Sequence, residues 1–205
     1  LLSIPSPRRA LVVGGGDGGV LRELCRHESM ERIDMVEIDA EVVEACKQHL
    51  PHLNERAFAD HRVRVHIEDA FKFIKRVEQP YDLIVMDATD VYEEEDGALS
   101  MQLFTAEFYR DCRASLSEKG ILVTQGDNHL FCPYSLEEIE RTFRELFPNV
   151  GAYQAIVPSF GGFSAYCWAS SGGEVSKSFV ENSMPLRYLN ETTWALAFEN
   201  LPFKR

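Results

Sequence analysis

Residues 9–27 read RALVVGGGDGGVLRELCRH, and this stretch decides the fold class. Residues 9–13 are a short apolar run that predicts a buried strand, and residues 20–27 have the apolar spacing of a helix. The glycine-rich loop between them, residues 14–19, lets the backbone turn tightly and approach a ligand closely. A strand, a glycine loop and a helix in this order predict the start of an α/β domain whose loop faces a ligand.

The rest of the chain alternates between strand and helix patterns. Further strands are predicted at residues 32–38, 62–67, 81–86, 120–125, 150–157 and 163–169, and further helices at residues 40–49, 70–76, 104–116 and 136–147. Pro51 is expected to end the helix at residues 40–49. The alternation predicts a mainly parallel sheet covered on both faces, with the last two strands as an antiparallel pair. Because no repeat or linker divides the chain, residues 1–205 are expected to form one domain.

Composition limits the possible partners. The net charge of −12 argues against a nucleic-acid partner and suits a cationic substrate, although it also suits solubility alone. No stretch approaches the ~20 consecutive apolar residues of a membrane span. The five cysteines lack C-x-x-C spacing, and the six histidines lack the spacing of zinc ligands. We therefore expect a reduced, cytoplasmic protein with no metal, no membrane contact and no nucleic acid.

The most informative residue of the glycine loop is Asp17. Its carboxylate would repel a pyrophosphate, or the carboxylate of a methionine tail, and would attract a positively charged amine. The alternative is that Asp17 only caps the following helix, since aspartate is common at that position. The sequence leaves both interpretations open.

Acidic residues also follow the second and third predicted strands. Glu37 lies about 20 residues beyond the glycine loop, where a carboxylate commonly accepts hydrogen bonds from ribose hydroxyls. The alternative is that Glu37 or Asp39 simply begins the next helix. Asp69, followed by Ala70, could accept a hydrogen bond from the exocyclic amine of adenine, could cap the next helix, or could do both.

The fourth predicted strand ends with Asp87, and Asp90 follows three residues later. Aspartates are common in turns, which is the alternative explanation for this pair. However, Asp17, Glu37 and Asp69 follow three other strands, and the carboxyl ends of parallel strands meet at one edge of the sheet. A cluster of carboxylates is costly without a cation, so the pattern predicts a substrate that carries amines or a sulfonium group.

Three further features belong to the predicted cleft. Gln125, at the end of the fifth strand, is a candidate amide for a substrate amine. Phe160, between the last two strands, could contact an alkyl chain or a cation through its ring. The acidic run at residues 93–96 is either a solvated loop or an attractor for the far end of a long cation.

Several motifs in this order resemble the polyamine aminopropyltransferase family, and spermidine synthases in particular. They are ALVVGGGDGGVLREL at residues 10–24, VEID at 36–39, DATD at 87–90, QLFTAEFY at 102–109, GILVTQG at 120–126, PSFGG at 158–162 and PLRYLNETTWALAFENLP at 185–202. The first run is specific, and the others are weaker singly but strong together. The resemblance covers nearly the whole chain.

The resemblance implies a Rossmann-like, seven-stranded, methyltransferase-type sheet and a transfer reaction. The aminopropyl group of decarboxylated S-adenosylmethionine would move to putrescine or a longer polyamine, releasing 5′-methylthioadenosine, with Asp87 as the catalytic base. It implies no cofactor besides this co-substrate, and a homodimer or homotetramer. The implied donor-binding residues are Gly14, Gly15, Asp17, Gly18, Glu37, Ile38, Asp69 and Ala70, and the implied acceptor-binding residues are Asp87, Asp90, Gln125 and Phe160.

This sequence departs from the family pattern in three places. It begins about where the family's small N-terminal β domain would end, so we expect that domain to be absent from this chain. DATD replaces the usual D-S-S-D motif and is followed by the acidic run, so a different gating loop is expected. Pro158-Ser159-Phe160 replaces a segment in which spermidine synthases generally have tyrosine. The Pro-Ser-Phe form resembles thermospermine synthases. The identity of the acceptor, putrescine or spermidine, therefore stays open.

Two other functions share parts of this pattern. An S-adenosylmethionine-dependent methyltransferase would have the same sheet and ribose carboxylate, but its loop carboxylate more often precedes the first glycine, where this chain has Val13. A non-catalytic domain that binds a nucleoside or a polyamine is the other alternative, and the presence of both Asp87 and Asp90 argues against it. A dinucleotide oxidoreductase is disfavoured because Asp17 would face the pyrophosphate.

Overall fold

The computed structural model describes residue 4 and residues 6–88, 99–128, 133–172, 175–179 and 184–199. Its strands are β1 (Arg9–Gly14), β2 (Arg32–Glu37), β3 (Val63–Ile67), β4 (Tyr81–Asp87), β5 (Leu116–Asn128), β6 (Asn149–Val157) and β7 (Gly162–Ser170). Its α-helices are α1 (Gly19–Cys25), α2 (Ala40–His49), α3 (Pro51–Asn54), α4 (Ala70–Ile74), α5 (Ala106–Ala114), α6 (Pro133–Leu146) and α7 (Glu191–Phe198). Short 3₁₀-helices occupy Ala57–Ala59, Leu99–Phe104 and Pro158–Phe160.

The strands form one sheet in the order β3-β2-β1-β4-β5-β7-β6. Neighbouring strands pair in parallel from β3 through β5, and β7 runs antiparallel to both β5 and β6. This confirms the predicted seven-stranded, mostly parallel sheet with an antiparallel C-terminal strand. Because β7 reverses direction between them, β6 ends at the same edge of the sheet as β4 and β5. The strand order reverses between β1 and β4, which is where α/β sheets bind their ligands.

Helices bury apolar side chains against both faces of the sheet. On one face α4, α5 and α6 cover the central strands, and Phe108, Tyr109 and Phe143 are fully buried there. On the other face Leu21 and Leu24 of α1 are buried together with Ala10 and Val12 of β1. Each such side chain contributes about 1.5–3 kcal/mol when it leaves water, so the two layers fix the sheet that positions the strand ends.

The bounds of several elements differ from the sequence prediction; the strand predicted at residues 120–125, for example, extends over Leu116–Asn128. Pro51 follows the end of α2, as expected, but it also begins α3, because proline suits the first position of a helix. The helix predicted at residues 104–116 was too long at both ends. Thr105 caps α5 by accepting a hydrogen bond from the backbone N–H of Phe108, and Leu116 already pairs with Tyr81 in the sheet. Helix α7 was not predicted; Asn190 begins it with a capping box.

In the described part of the chain, none of the helices is long and apolar enough to cross a membrane.

A polar network lies inside the sheet layer, around the fully buried Asp34 of β2. Arg32 donates to its carboxylate through Nε (2.7 Å) and Nη2 (2.9 Å), and the Tyr81 hydroxyl donates at 2.9 Å. The Nε2 atom of His66 lies 2.8 Å from Oδ1 of the same carboxylate. Burial raises the pKa of Asp34, but the hydrogen bonds from Arg32, His66 and Tyr81 outweigh it, so the pKa lies below its usual value.

We expect Asp34→Asn to lower the free energy of unfolding by about 2–4 kcal/mol at pH 7, because it leaves a buried network without its charge. Since the folded pKa is lowered, this contribution is present above the unfolded pKa of about 4 and is lost as the pH falls through the folded value. Urea denaturation at pH 7, with the exposed Glu137→Gln as control, measures the loss. Equal midpoints for Asp34→Asn and wild type would show that the network contributes nothing.

Candidate active site

The carboxyl ends of four neighbouring strands lie in a row at one edge of the sheet. The pairing register places Gly14 of β1 beside Asp87 of β4, and Glu37 of β2 beside Ile67 of β3. Of the carboxylates predicted from the sequence, Glu37 and Asp87 are the last residues of β2 and β4, and Asp17 and Asp69 lie in the loops that follow β1 and β3. The structure therefore brings these strand ends to one edge, as expected for a mainly parallel sheet.

The glycine loop is fitted closely against the backbone of Asp87. Gly14 has a φ of +80°, and a Cβ atom on it would lie 2.3 Å from the carbonyl oxygen of Asp87. The backbone N–H of Gly15 donates to that same oxygen at 2.8 Å. Only glycine can occupy position 14, because any side chain there would meet fixed backbone and adopt a disfavoured φ.

Asp17 lies just before α1 but is not its N-cap residue, which is Gly18. Its Oδ1 accepts a hydrogen bond from the backbone N–H of Gly19 (2.8 Å), the first residue of the helix. The carboxylate is half-buried, and its negative charge contributes to the raised pKa of Asp87. Binding of an amine by Asp17 stays a prediction.

Asp39, and not Glu37, begins the helix that follows β2, and ribose binding by Glu37 stays a prediction. Asp39 caps α2 by accepting from the backbone N–H of Glu41 at 2.8 Å. Glu37 instead accepts through Oε1 from the backbone N–H groups of Ile38 (2.8 Å) and Asp39 (3.1 Å). Its other oxygen, Oε2, points at the glycine loop, 3.2 Å from where a Cβ on Gly16 would lie. The second oxygen of Glu37 is thus oriented toward the cleft.

Asp69 caps α4, which begins at Ala70, and accepts from the backbone N–H of Phe71 at 2.9 Å. The neighbouring Glu68 is engaged by Arg76 at 2.6 Å and points elsewhere. The capping role of Asp69 is therefore observed, and contact with an adenine amine remains a prediction.

Apolar side chains are exposed beside these carboxylates. Ile38, which was predicted to bind the donor, is 55% exposed. Ile67, which was not predicted to belong to the site, is 47% exposed. Val42 was also missed; its Cγ1 lies 2.8 Å from where a Cβ on Gly16 would be, so it covers the glycine loop. Sequence periodicity could not show that Ile67 and Val42 lie beside the site. An apolar residue at a strand end or on a helix is normally predicted to belong to the hydrophobic core.

The carboxyl group of Asp87 has an altered pKa. Burial, followed by the negative charges of Asp17 and Glu37, raises the pKa of Asp87 to about 6. Asp87 is therefore largely ionised at neutral pH but is a stronger base than an ordinary aspartate. The carboxylates of Asp17 and Glu37 both act on it, which shows that the three groups share one electrostatic environment.

Gln125 and Phe160 lie at the same edge of the sheet. Gln125 of β5 donates through Nε2 to the carbonyl oxygen of Ala88, and so holds the residue that follows Asp87. Phe160 ends the 3₁₀ turn after β6 and is 63% exposed. Asp90 and the acidic run at residues 93–96 lie outside the described residues.

Among the side chains that the structure describes, no group of three or more histidines, cysteines, aspartates and glutamates has the geometry to hold a metal ion.

We expect Asp87→Asn to raise the free energy of unfolding by about 1–3 kcal/mol at pH 7.5, because it removes a buried charge that two other carboxylates repel. A folded pKa raised to about 6 means that ionisation weakens the fold as the pH rises from about 4 through 6. The gain should therefore shrink toward zero at pH 4.5. Urea denaturation at both pH values tests this, with Glu137→Gln as control. A variant that is less stable than wild type at pH 7.5 contradicts the assigned environment.

The comparisons with known proteins agree with this architecture. The family model "Spermine/spermidine synthase domain" matches residues 1–177. A polyamine aminopropyltransferase from Erwinia tasmaniensis is 37% identical over 202 residues, covering 93% of this chain and 68% of the relative. Another from Alkaliphilus oremlandii is 42% identical over 158 residues, covering 76% of this chain and 54% of the relative.

Solved structures of spermidine synthases also match this chain along almost its whole length. A spermidine synthase in complex with the transition state analogue AdoDATO matches with a TM-score of 0.89 and 27% identity, covering 98% of this chain and 69% of that one. The spermidine synthase from Thermotoga maritima matches with a TM-score of 0.85 and 26% identity, covering 98% and 68%. This chain thus spans between about half and just over two thirds of these proteins. It belongs to the spermine/spermidine synthase family.

Proposed function

We propose that this protein is an aminopropyltransferase of the spermidine synthase type. It transfers the aminopropyl group of decarboxylated S-adenosylmethionine to a polyamine amine and releases 5′-methylthioadenosine. The observation that supports this most is Asp87, a half-buried carboxyl group whose pKa is raised to about 6, held against the glycine loop beside Asp17 and Glu37. These repelling carboxylates suit a donor that carries an ammonium and a sulfonium group.

The donor is assigned to the row of strand ends. Asp17 would hold the aminopropyl ammonium group with Oδ2, the oxygen that does not accept from Gly19, and Glu37 would accept from the ribose hydroxyls with Oε2. Asp69 would accept from the adenine amine. The exposed side chain of Ile38 and the start of α4 at Ala70 would border the base, and Gly14, Gly15 and Gly18 allow the donor to approach the backbone.

Asp87 would prepare the nucleophile. An alkyl ammonium group has a pKa near ~10.4 in water, so the acceptor amine arrives protonated and cannot attack. Asp87 accepts one proton from it, and the neutral amine then forms a C–N bond to the carbon next to sulfur as the C–S bond breaks. The electron pair of that bond stays on sulfur, and the thioether leaves uncharged, so no oxyanion has to be stabilised. Burial raises the pKa of Asp87 and so brings it closer to that of the ammonium group, while the positive charges of the bound donor lower the pKa of both groups.

The acceptor is assigned to the side of Asp87 that faces β5, β7 and β6. Gln125 would line this site while it holds the carbonyl of Ala88, and Phe160 would offer its ring to the alkyl chain. Asp90 would bind the acceptor amine. Phenylalanine at position 160 lacks the hydroxyl that spermidine synthases generally place there, so putrescine and longer polyamines both remain candidate acceptors.

Several broader properties are also proposals. One continuous sheet within residues 9–170 supports a single catalytic domain over residues 1–205. Decarboxylated S-adenosylmethionine is the only small molecule that the proposed reaction needs besides the acceptor, so no cofactor is assigned. A homodimer or homotetramer and a cytoplasmic location stay predictions from the resemblance.

Mass spectrometry of the products tests the reaction. The protein is incubated with decarboxylated S-adenosylmethionine and either putrescine or spermidine, and we expect 5′-methylthioadenosine with the polyamine extended by one aminopropyl group. Asp87→Asn should lose turnover by about 10²–10⁴-fold while still binding the donor, because it removes the base and keeps the shape. Glu137→Gln should keep full turnover.

Near-normal turnover of Asp87→Asn would remove Asp87 as the base. If wild type forms no product with either acceptor but binds the donor, a non-catalytic role replaces the proposal. Methyl transfer from S-adenosylmethionine would support the methyltransferase alternative instead.

A further inference from the structure

A second charged region lies at the opposite edge of the sheet, away from the candidate active site. Arg9, Arg32 and Tyr81 stand at the amino ends of β1, β2 and β4. Tyr81 and Asp87 begin and end β4, and six residues of strand span about 20 Å. The proposed reaction therefore makes no use of this edge.

These residues line a cavity of about 300 Å³ together with Phe73, Arg76 and Glu78. Three guanidinium groups thus share the cavity wall with a single carboxylate, in a chain whose net charge is −12. Arginine offers donors in a planar fork that matches the oxygens of phosphate. The composition of the wall indicates an anionic ligand.

Arg9 has a buried donor atom without a partner. Its guanidinium lies 5.3 Å from the centre of the Tyr81 ring, and its Nε is buried with no hydrogen-bond partner in the part of the chain that the structure describes. The nearby carboxylate of Asp82 accepts from the backbone N–H groups of Arg8 and Arg9 and from the Ser117 hydroxyl. A buried donor without an acceptor is costly, and the same guanidinium carries four further N–H groups that can donate to an anion.

The two other arginines are held in place by protein carboxylates. Arg32 binds Asp34 through Nε and Nη2, and Arg76 binds Glu68 through Nη2 at 2.6 Å. Each guanidinium has further N–H groups beyond those bonds, since arginine carries five. Held in this way, Arg32 and Arg76 can donate to a ligand with little further loss of side-chain freedom.

We propose that this cavity binds a phosphate group, with Arg9 as its principal ligand and Arg32 and Arg76 as flanking donors. Among the residues that line the cavity, Glu78 carries a negative charge and would repel the phosphate group. The site is separate from the aminopropyl-transfer site and does not depend on the function proposed above. The phosphate is either the free ion or the end group of a small phosphate monoester.

Isothermal titration calorimetry at constant ionic strength tests the proposal, with inorganic phosphate and glycerol 3-phosphate as the two probes and chloride as the control ion. We expect saturable binding of at least one probe to wild type, and the tighter probe identifies the source of the phosphate. Arg9→Gln should weaken binding by about tenfold or more, because it removes a charge-assisted hydrogen-bond donor. Glu78→Gln should strengthen binding by about two- to fivefold, since it removes a repelling charge.

Two control variants separate this site from others. Arg110→Gln removes an exposed arginine on α5 and should leave phosphate binding unchanged. Asp87→Asn should also leave it unchanged, which distinguishes this site from the candidate active site. If Arg9→Gln fails to fold, Arg76→Gln replaces it, because that side chain is 60% exposed. No saturable binding to wild type, or equal binding to wild type and Arg9→Gln, overturns the proposal.

Discussion

The close approach of Gly14 to the carbonyl group of Asp87 is the constraint on which the rest of the site depends. A Cβ at position 14 would lie 2.3 Å from that oxygen, and Gly15 donates to the same atom. The contact fixes the end of β1 against the end of β4, at the point where strand order reverses. It thereby places the carboxyl group of Asp87 next to a loop that contributes a second carboxylate, Asp17. The raised pKa of Asp87 follows from that arrangement and from its burial.

Charge is distributed unevenly between the two edges of the sheet. At the carboxyl edge, Asp17, Glu37 and Asp87 repel one another, and the fold tolerates this because two layers of buried side chains hold the strands. At the amino edge, Arg32 is matched by the buried Asp34, whereas the Nε of Arg9 has no hydrogen-bond partner in the described residues. Each edge thus holds charged groups that can bind a ligand of the opposite sign. A cationic donor suits the first edge, and a phosphate group suits the second.

Much of this could be predicted from the sequence, because strand ends can be located from short apolar runs. Asp17, Glu37, Asp69 and Asp87 were all placed after strands, and the structure brings those strand ends to one edge. What the sequence could not predict depends on three-dimensional neighbours. It could not show that Asp39 rather than Glu37 caps α2, or that Gln125 holds the carbonyl of Ala88. It also gave no sign that Asp34 gathers Arg32, His66 and Tyr81, because those partners lie on three different strands.

Asp87 is proposed to be a base whose pKa is raised in the free protein and lowered by a cationic donor. Carbon-13 NMR of protein labelled at the aspartate carboxyl carbons measures this pKa directly, with Asp87→Asn to assign the resonance. We expect a titration midpoint near 6 in the free protein, and a clear fall when decarboxylated S-adenosylmethionine binds, because two positive charges then favour the ionised form. A midpoint near the ordinary value of about 4 in the free protein, or one that does not move when the donor binds, would contradict it.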